Sequence, residues 1–155
     1  MQKKMNHNRL YQFRILTILV LMVPLGILFL WIGIFLDARP IRWDEYSETD
    51  LAGSDDRVAL VFFTADWDLT GNLVEAESIN HWWIKHLIRS HRVVTMKVDL
   101  TDWPAPNARI LKSVGGAVTP TIAIYPAGRM ENPTILDGMI TRDDLSEALN
   151  ASLSY

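Results

Sequence analysis

The sequence contains no cysteine among its 155 residues. This absence excludes disulfide bonds, thiolate metal sites, cysteine nucleophiles and redox exchange through a CxxC pair, whatever the fold. The part of the chain beyond residue 36 is acidic and has no basic stripe, which argues against nucleic-acid binding. No Ser/His/Asp order, paired-carboxylate pattern or glycine-rich phosphate loop occurs either. We therefore predict that the protein is not an enzyme and holds no cofactor.

Charge is missing altogether from residues 15–36, a run of 22 positions in which Thr17 is the only hydroxyl side chain. At ~1.5 Å per residue, a helix of this length spans roughly 33 Å, enough to cross a hydrocarbon core of about 30 Å. The alternative is a cleaved signal peptide, but the apolar run is longer than usual and no A-x-A site follows it. Residues 15–36 are therefore predicted to be a transmembrane helix in contact with the lipid bilayer.

The distribution of basic residues orients this span. Residues 1–14 form a basic arm without acidic residues, which contains Lys3, Lys4, Arg9 and Arg14. The positive-inside rule places this arm in the cytoplasm. The remainder of the chain is then periplasmic, on a single-pass protein of the bacterial inner membrane.

Beyond the span, residues 37–56 show no lasting period and are predicted to form a linker. Residues 57–155 then alternate between apolar runs and helical periodicity. Strands are predicted at 58–64, 93–100, 121–125 and 134–136, and helices at 72–89, 107–114 and from Thr141 as an N-cap. This order predicts an α/β fold with a central mixed sheet and helices on both faces. The layout is thioredoxin-like.

Apolar spacing in the helix predicted at 72–89 indicates a buried face formed by Leu73, Ala76, Ile79, Trp83 and Leu87. Trp82 falls beside this face. It is therefore predicted to be exposed to a partner or to the membrane surface, and a broader buried face is the alternative.

Four segments resemble a known family. Residues 63–75, FTADWDLTGNLVE, resemble the ADWCxxCKxxE active-site segment of the periplasmic domain of the transmembrane thiol:disulfide interchange proteins, the DsbD family. Residues 96–101, 118–122 and 138–145 resemble that family's second strand, cis-proline loop, and last turn and helix, in the same order. The resemblance covers about residues 57–150 and implies a thioredoxin-like domain with a cis-proline at Pro120.

The departures from the family's pattern concern its chemistry. Asp68 and Gly71 stand at the two cysteine positions, and Phe62 stands where relatives often carry a buried acid. Asn72 replaces the usual lysine. An aspartate can cap a helix, but it cannot form a disulfide. The domain is therefore predicted to be redox-inactive.

What the resemblance leaves is a binding surface. In the family, an extended peptide lies beside the cis-proline. The predicted partner-binding residues are Trp67, Asp68, Leu69, Thr70, Thr119, Pro120 and Trp82. We expect a scaffolding subunit of an integral membrane protein complex. The alternative is a periplasmic assembly factor or holdase that grips extended segments of other envelope proteins. Retention of Pro120 for packing alone is the competing explanation.

Residues 66–77 also match part of an EF-hand calcium loop. Asp66, Asp68, Thr70 and Glu77 fall at ligand positions one, three, five and twelve, with Gly71 at position six. Such a loop needs a preceding helix, whereas the preceding residues are strand-like. Calcium is therefore a second alternative, with the binding role preferred.

Overall fold

A computed structural model describes residues 20, 22–28, 31, 33, 39–102, 105–129 and 131–154. The chain forms two compact units, Met1–Arg39 and Pro40–Tyr155. In the first unit the described residues 20, 22–28, 31 and 33 are helical and exposed. The basic arm at 1–14 and most of the span predicted at 15–36 lie outside the described residues. Among those that are described, no helix has the length and apolar character needed to cross a membrane.

A five-stranded mixed sheet organises the second unit. Its spatial order is β1-β3-β2-β4-β5; β1 and β2 run parallel to β3, β4 is antiparallel to β2, and β5 is antiparallel to β4. The strands are β1 Asp44–Glu45, β2 Ala59–Thr64, β3 Val94–Asp99, β4 Thr121–Tyr125 and β5 Thr134–Asp137. The helices are α1 Glu48–Ala52, α2 Leu69–Leu73, α3 Trp82–Ser90, α4 Ala105–Ser113 and α5 Arg142–Leu153. The predicted mixed sheet is confirmed.

Strand β2 is buried along its whole length and contributes to two cores. On one face Leu60 and Phe62 pack with residues of α3 and α5; on the other Val61 and Phe63 pack with residues of α1 and α4. Side chains alternate across a strand, so a strand that is apolar at every position needs a layer on each face. Burial contributes about 1.5–3 kcal/mol for each large apolar side chain. The helices therefore lie on both faces, as predicted.

The prediction of a single helix at 72–89 is wrong. Helix α2 continues into a π-helical segment, Val74–Ile79, and the chain then breaks at Asn80 and His81 before α3 begins. The His81 Nδ1 accepts a hydrogen bond from the Trp83 N–H at 3.3 Å. The helix therefore restarts at Trp82 with its own cap.

This break changes which side chains are buried. A π-helix bonds each residue to the fifth one along, so it shifts the phase of the helical face. The prediction of a buried face is right for Ile79 and Leu87. It is wrong for Leu73, Ala76 and Trp83, which are exposed. Trp82 is exposed as predicted.

The linker predicted at 37–56 is also corrected. Strand β1 pairs with β3, helix α1 follows it, and the compact unit begins at Pro40. Ile41 is only 7% exposed, and its N–H donates to the Asn80 Oδ1 at 2.7 Å. The Trp43 Nε1 donates to the Glu75 Oε1 at 2.6 Å, and its ring stacks on Phe62 with centroids 5.5 Å apart. A two-residue strand leaves no period in the sequence, so these contacts have no local signal.

The start of α5 was predicted correctly at Thr141. The Asp144 N–H donates to the Thr141 Oγ1 at 3.2 Å, and the Thr141 N–H donates to the Asp144 Oδ2 at 3.0 Å. These reciprocal bonds form a capping box. Hydrogen bonds from Thr141 lower the pKa of Asp144, first through its side chain and then through its backbone.

Trp43→Phe tests whether the segment before β1 is part of the fold. The change keeps a ring on Phe62 but removes the donor to the Glu75 carboxylate, so the free energy of unfolding should fall by about 2 kcal/mol. Trp67→Phe is the matched control, because its indole N–H donates to the Thr101 carbonyl at an exposed position. Chemical denaturation of both variants measures the difference. Equal losses would contradict a structural role for Trp43.

Candidate functional site

Asp68 caps the helix at the position where the resembling family has its first cysteine. Its backbone is extended, and the Gly71 N–H donates to the Asp68 Oδ1 at 3.0 Å. The side chain is not a surface group, because the residue is only 6% exposed. The expected N-cap is confirmed. The second carboxylate oxygen, Oδ2, is buried without a hydrogen-bond partner among the described residues.

Gly71 packs tightly against this cap. A Cβ at position 71 would lie 2.9 Å from the Asp68 Oδ2 and closer still to the Thr64 Oγ1. The Thr64 Oγ1 is a second buried oxygen without a partner among the described residues. Position 71 therefore has no room for a side chain while Thr64 and Asp68 are present. The replacements at the two cysteine positions fit one another.

The loop at residues 118–120 reaches the same end of the sheet. Phe63 pairs with Thr121, so the antiparallel register brings Pro120 beside Thr64 at the end of β2. The Thr119–Pro120 peptide bond is cis, as the resemblance implies. The Gly138 N–H donates to the Pro120 carbonyl at 2.8 Å, which brings the turn after β5 to this edge as well. The backbone N–H and C=O of Thr119 have no hydrogen-bond partner among the described residues.

Exposed apolar side chains surround this edge. Leu69 is 78% exposed, and Leu73, one helical turn further along, lines a cleft of about 250 Å³ together with Met139. Isolated exposed apolar residues are ordinary, but a cluster of them indicates an interaction surface. We call the following exposed residues the apolar rim: Trp67, Leu69, Leu73, Val118 and Met139.

The predicted partner-binding residues divide into three groups. Trp67 and Leu69 are exposed on the rim, and Thr70 and Thr119 are half-buried beside it. Asp68 and Pro120 are buried, so they shape the surface without presenting a side chain to a partner. Trp82 is not part of the apolar rim.

The distance of Trp82 from the rim follows from the helix between them. Leu69 begins a helical stretch that ends at Ile79, and a helix of that length covers roughly 15 Å. Trp82 follows the far end of this stretch. Sequence reasoning missed Leu73, Val118 and Met139, although all three lie inside the segments that resemble the family.

The geometry does not support the calcium loop. Strand β2, and not a helix, precedes Asp66, and the Asp68 Oδ1 is used by the helix cap. Glu77 lies in the π-helical segment and is exposed. Within the described part of the chain, no group of three His, Cys, Asp or Glu side chains is arranged to hold a metal ion.

Phe62 replaces the acid of the family pattern with a fully buried ring. The Lys97 Nζ lies 5.7 Å from the centre of that ring and donates to the Glu75 Oε2 at 2.8 Å. The Glu75 Oε1 accepts from Trp43. Both oxygens of Glu75 are therefore engaged in holding the fold, because each accepts a hydrogen bond from a different element.

Thr101 positions the indole of Trp67. Its carbonyl accepts from the Trp67 Nε1 at 2.8 Å, and its Oγ1 accepts from the Asp66 N–H at 2.9 Å. The Thr101 hydroxyl and backbone N–H both donate to the Asp99 Oδ1, at 2.5 and 2.8 Å. These bonds lower the pKa of Asp99, the side-chain bond first and the backbone bond second. A carboxylate at the end of β3 thus holds the loop that orients Trp67.

No protein-family model and no curated protein sequence matches this chain. Solved structures do match. The reduced C-terminal domain of DsbD from Neisseria meningitidis is 20% identical, with 67% of this chain and 88% of that chain covered and a TM-score of 0.54. A thioredoxin from Thermus thermophilus is 19% identical over 73% and 87% of the two chains, with a TM-score of 0.59. An oxidoreductase named DsbH is 16% identical over 77% and 88%, with a TM-score of 0.58.

The chain has a thioredoxin-like fold. These similarities show the fold alone, because every identity is 20% or lower. The sequence supplies the chemical difference: without a cysteine, the fold cannot perform thiol–disulfide exchange.

Gly71→Ala tests the tight packing of the cap. The added methyl group would overlap Thr64 and Asp68, so the free energy of unfolding should fall by about 1–3 kcal/mol. Gly53→Ala is the milder comparison, because its backbone suits alanine and its Cβ would lie 3.3 Å from the Thr49 carbonyl oxygen, a contact relieved by a shift of a few tenths of an ångström; its effect should stay within about 0.5 kcal/mol. The double variant Thr64→Ala/Gly71→Ala should recover part of the loss, because the nearest obstructing oxygen is gone. Additive effects in the double variant would refute the proposed contact.

Thr101→Val tests the link between Asp99 and Trp67. The change removes the hydroxyl that lowers the pKa of Asp99, so that pKa should rise toward its ordinary value in a carboxyl NMR titration. A depressed folded-state pKa stabilises the protein above the unfolded-state pKa, and the gain is lost as pH falls through the folded-state value. The variant should therefore lose less stability on acidification than the parent. The pKa of Asp144, which depends on Thr141, is the internal control and should not move.

Proposed function

We propose that this protein is a non-catalytic, membrane-anchored binding subunit of a membrane protein complex, with its thioredoxin-like domain on the periplasmic side. The observation that carries the proposal is the combination of a cysteine-free helix start and an exposed apolar rim at the same edge of the sheet. The fold supplies a recognition surface. The chemistry that would turn over a bound thiol or disulfide is absent.

The rim has the properties of a binding surface. Trp67 is 58% exposed while its indole is held by Thr101, so a large aromatic ring is presented in a fixed orientation. Fixing a side chain before binding reduces the entropy lost when a partner docks. Leu69 and Leu73 add aliphatic area one turn apart on the same helix face. Aromatic anchors surrounded by smaller apolar groups are the usual centres of protein interfaces.

The anchor is supported by the sequence pattern. Residues 15–36 carry no charge, and the basic arm before them is typical of a cytoplasmic flank. The folded unit begins at Pro40, directly after this run. A permanent membrane subunit needs both the membrane anchor and the folded unit.

A second candidate is an assembly factor or holdase that grips extended segments of envelope proteins beside Pro120. The observation in its favour is the backbone of Thr119, whose N–H and C=O have no partner among the described residues. An extended peptide can pair with such groups as an added strand while its side chains contact neighbouring pockets. The cleft beside Leu73 and Met139 offers one such pocket.

Crosslinking in native membranes separates the two candidates. A photoreactive residue at Leu69 should capture one partner in stoichiometric yield if the protein is a subunit, and many clients in low yield if it is a holdase. The same photoreactive residue at Lys112, an exposed position on α4, is the control and should capture neither a partner nor clients. Leu69→Asp should abolish the capture of a partner in pull-downs of the full-length protein, whereas Lys112→Asp should not.

Three outcomes would contradict the proposal. Release of the full-length protein from membranes by alkaline extraction would refute the anchor. Retention of every partner by Leu69→Asp would refute the rim as the binding surface. Turnover in an insulin-reduction assay would refute the loss of redox activity, because no thiol is present to support it.

A further inference from the structure

The outer face of α3 carries an exposed aromatic cluster that the rim does not include. Trp82 is 58% exposed and Trp83 is 39% exposed. Trp82 meets Trp83 edge-on at 5.6 Å, and Trp83 stacks on His86 at 5.7 Å between ring centroids. The inward side of the same helix is filled by Ile84, Leu87 and Ile88. We call the exposed residues of this helix, at positions 82, 83, 86, 89 and 90, the α3 face.

The residues are contiguous because of their spacing. Position 86 follows position 82 by four residues, and positions 89 and 90 follow position 86 by three and four. Position 83 lies beside them, so all five fall on one side of the helix. Two tryptophans at one end and polar or basic residues toward the other make this side amphipathic along its length. Tryptophans in such a setting are typical of the boundary between lipid and water.

The α3 face itself carries no carboxylate. No Asp or Glu occurs between Glu77 and Asp99, although the protein carries 18 acidic residues in all. The same stretch contains four basic residues, of which Arg89 and Arg92 are exposed and Lys85 is buried. An acidic domain is repelled by an anionic bilayer except through a surface without carboxylates, and basic residues near that surface are attracted to it.

The chain enters the domain beside this face. The Ile41 N–H donates to the Asn80 Oδ1, so the first buried residue of the domain is attached two positions before Trp82. The first buried residue of the folded unit is therefore attached next to the start of α3.

We infer that the α3 face docks on the surface of the bilayer, with Trp82 and Trp83 in the lipid headgroup region and the basic residues near anionic headgroups. This inference rests on the proposed membrane anchor. It adds the surface of contact: the folded unit would meet the lipid through α3. Helix α4 packs on the opposite face of the sheet, since its Leu111 belongs to the other core, and it therefore faces away from the lipid.

The absence of cysteine allows a direct test with single labels. Full-length protein carrying Ser90→Cys is labelled with a nitroxide and reconstituted into nanodiscs of phosphatidylcholine, alone or mixed with phosphatidylglycerol. Collisions with oxygen report lipid, and collisions with a water-soluble nickel complex report solvent. The Ser90→Cys label should gain access to oxygen and lose access to nickel when the anionic lipid is present. A Lys112→Cys label on α4 is the matched control and should stay accessible to nickel in both lipids.

Two further variants separate the contributions. Trp82→Ala/Trp83→Ala should abolish the lipid contact of the Ser90→Cys label, and both side chains are exposed, so the fold is retained. Arg92→Gln should lower the ratio of docked to undocked protein about fivefold, the effect of one basic residue at an anionic surface. High salt should weaken docking in the same direction.

Several results would overturn the inference. A Ser90→Cys label that stays accessible to nickel in both lipids would exclude docking. Spin–spin broadening between copies would assign the α3 face to self-association. Protection of the label in native membranes but not in nanodiscs would assign it to a protein partner. Failure of the anchor is distinguishable, because it would release the protein at alkaline pH, whereas failure of docking alone would leave it in the membrane.

Discussion

Strand β2 imposes the constraint on which the rest of the domain depends. All six of its residues are buried, so both faces of the sheet must be covered and both ends of the strand must lead into ordered loops. At its carboxyl end, β2 brings Thr64 beside Pro120 and places the start of α2 against the same edge. The apolar rim is a consequence of this arrangement, because the side chains that cannot enter either core collect around the one edge where three loops meet.

The same strand also supports the segment before β1. Phe62 fills the position where the resembling family often has an acid, and its ring supports Trp43. Lys97, without an acid at that position, pairs with Glu75, and Glu75 in turn accepts from Trp43. The pair is partly exposed, with side-chain exposures of 33% and 24%, so its value lies in connecting three elements more than in the strength of the ion pair itself. The contacts of Phe62 and Glu75 with Trp43 therefore attach the start of the folded unit to the rest of the domain.

The sequence predicts these features unequally, for physical reasons. The four longer strands were placed within two residues. Strands β2 and β4 were found because a fully buried strand appears as a continuous apolar run. The prediction of a single helix at 72–89 was wrong because a π-helical segment changes the phase of the helical face without a sequence signature. This error assigned Leu73 to the buried face. Strand β1 is held by contacts to Asn80, Glu75 and β3 that no local pattern contains. Trp67 and Leu69 followed from the family motif, whereas the turn that carries Met139 is held by long-range bonds, from the Gly138 N–H to the Pro120 carbonyl and from the Ser78 hydroxyl to the Ile140 carbonyl.

The helical stretch Leu69–Ile79 lies between the start of the rim and the α3 face. The rim lies at Leu69, and the α3 face begins after Ile79, roughly 15 Å further along. The chain joins the domain at the second of these ends, beside Asn80. If the α3 face lies on the bilayer, the rim is held above the headgroups and open to the solvent. A partner would then meet the rim at a fixed height above the membrane, and an extended peptide could approach Thr119 without competing with lipid. A surface presented in one orientation would lose less entropy when a partner docks.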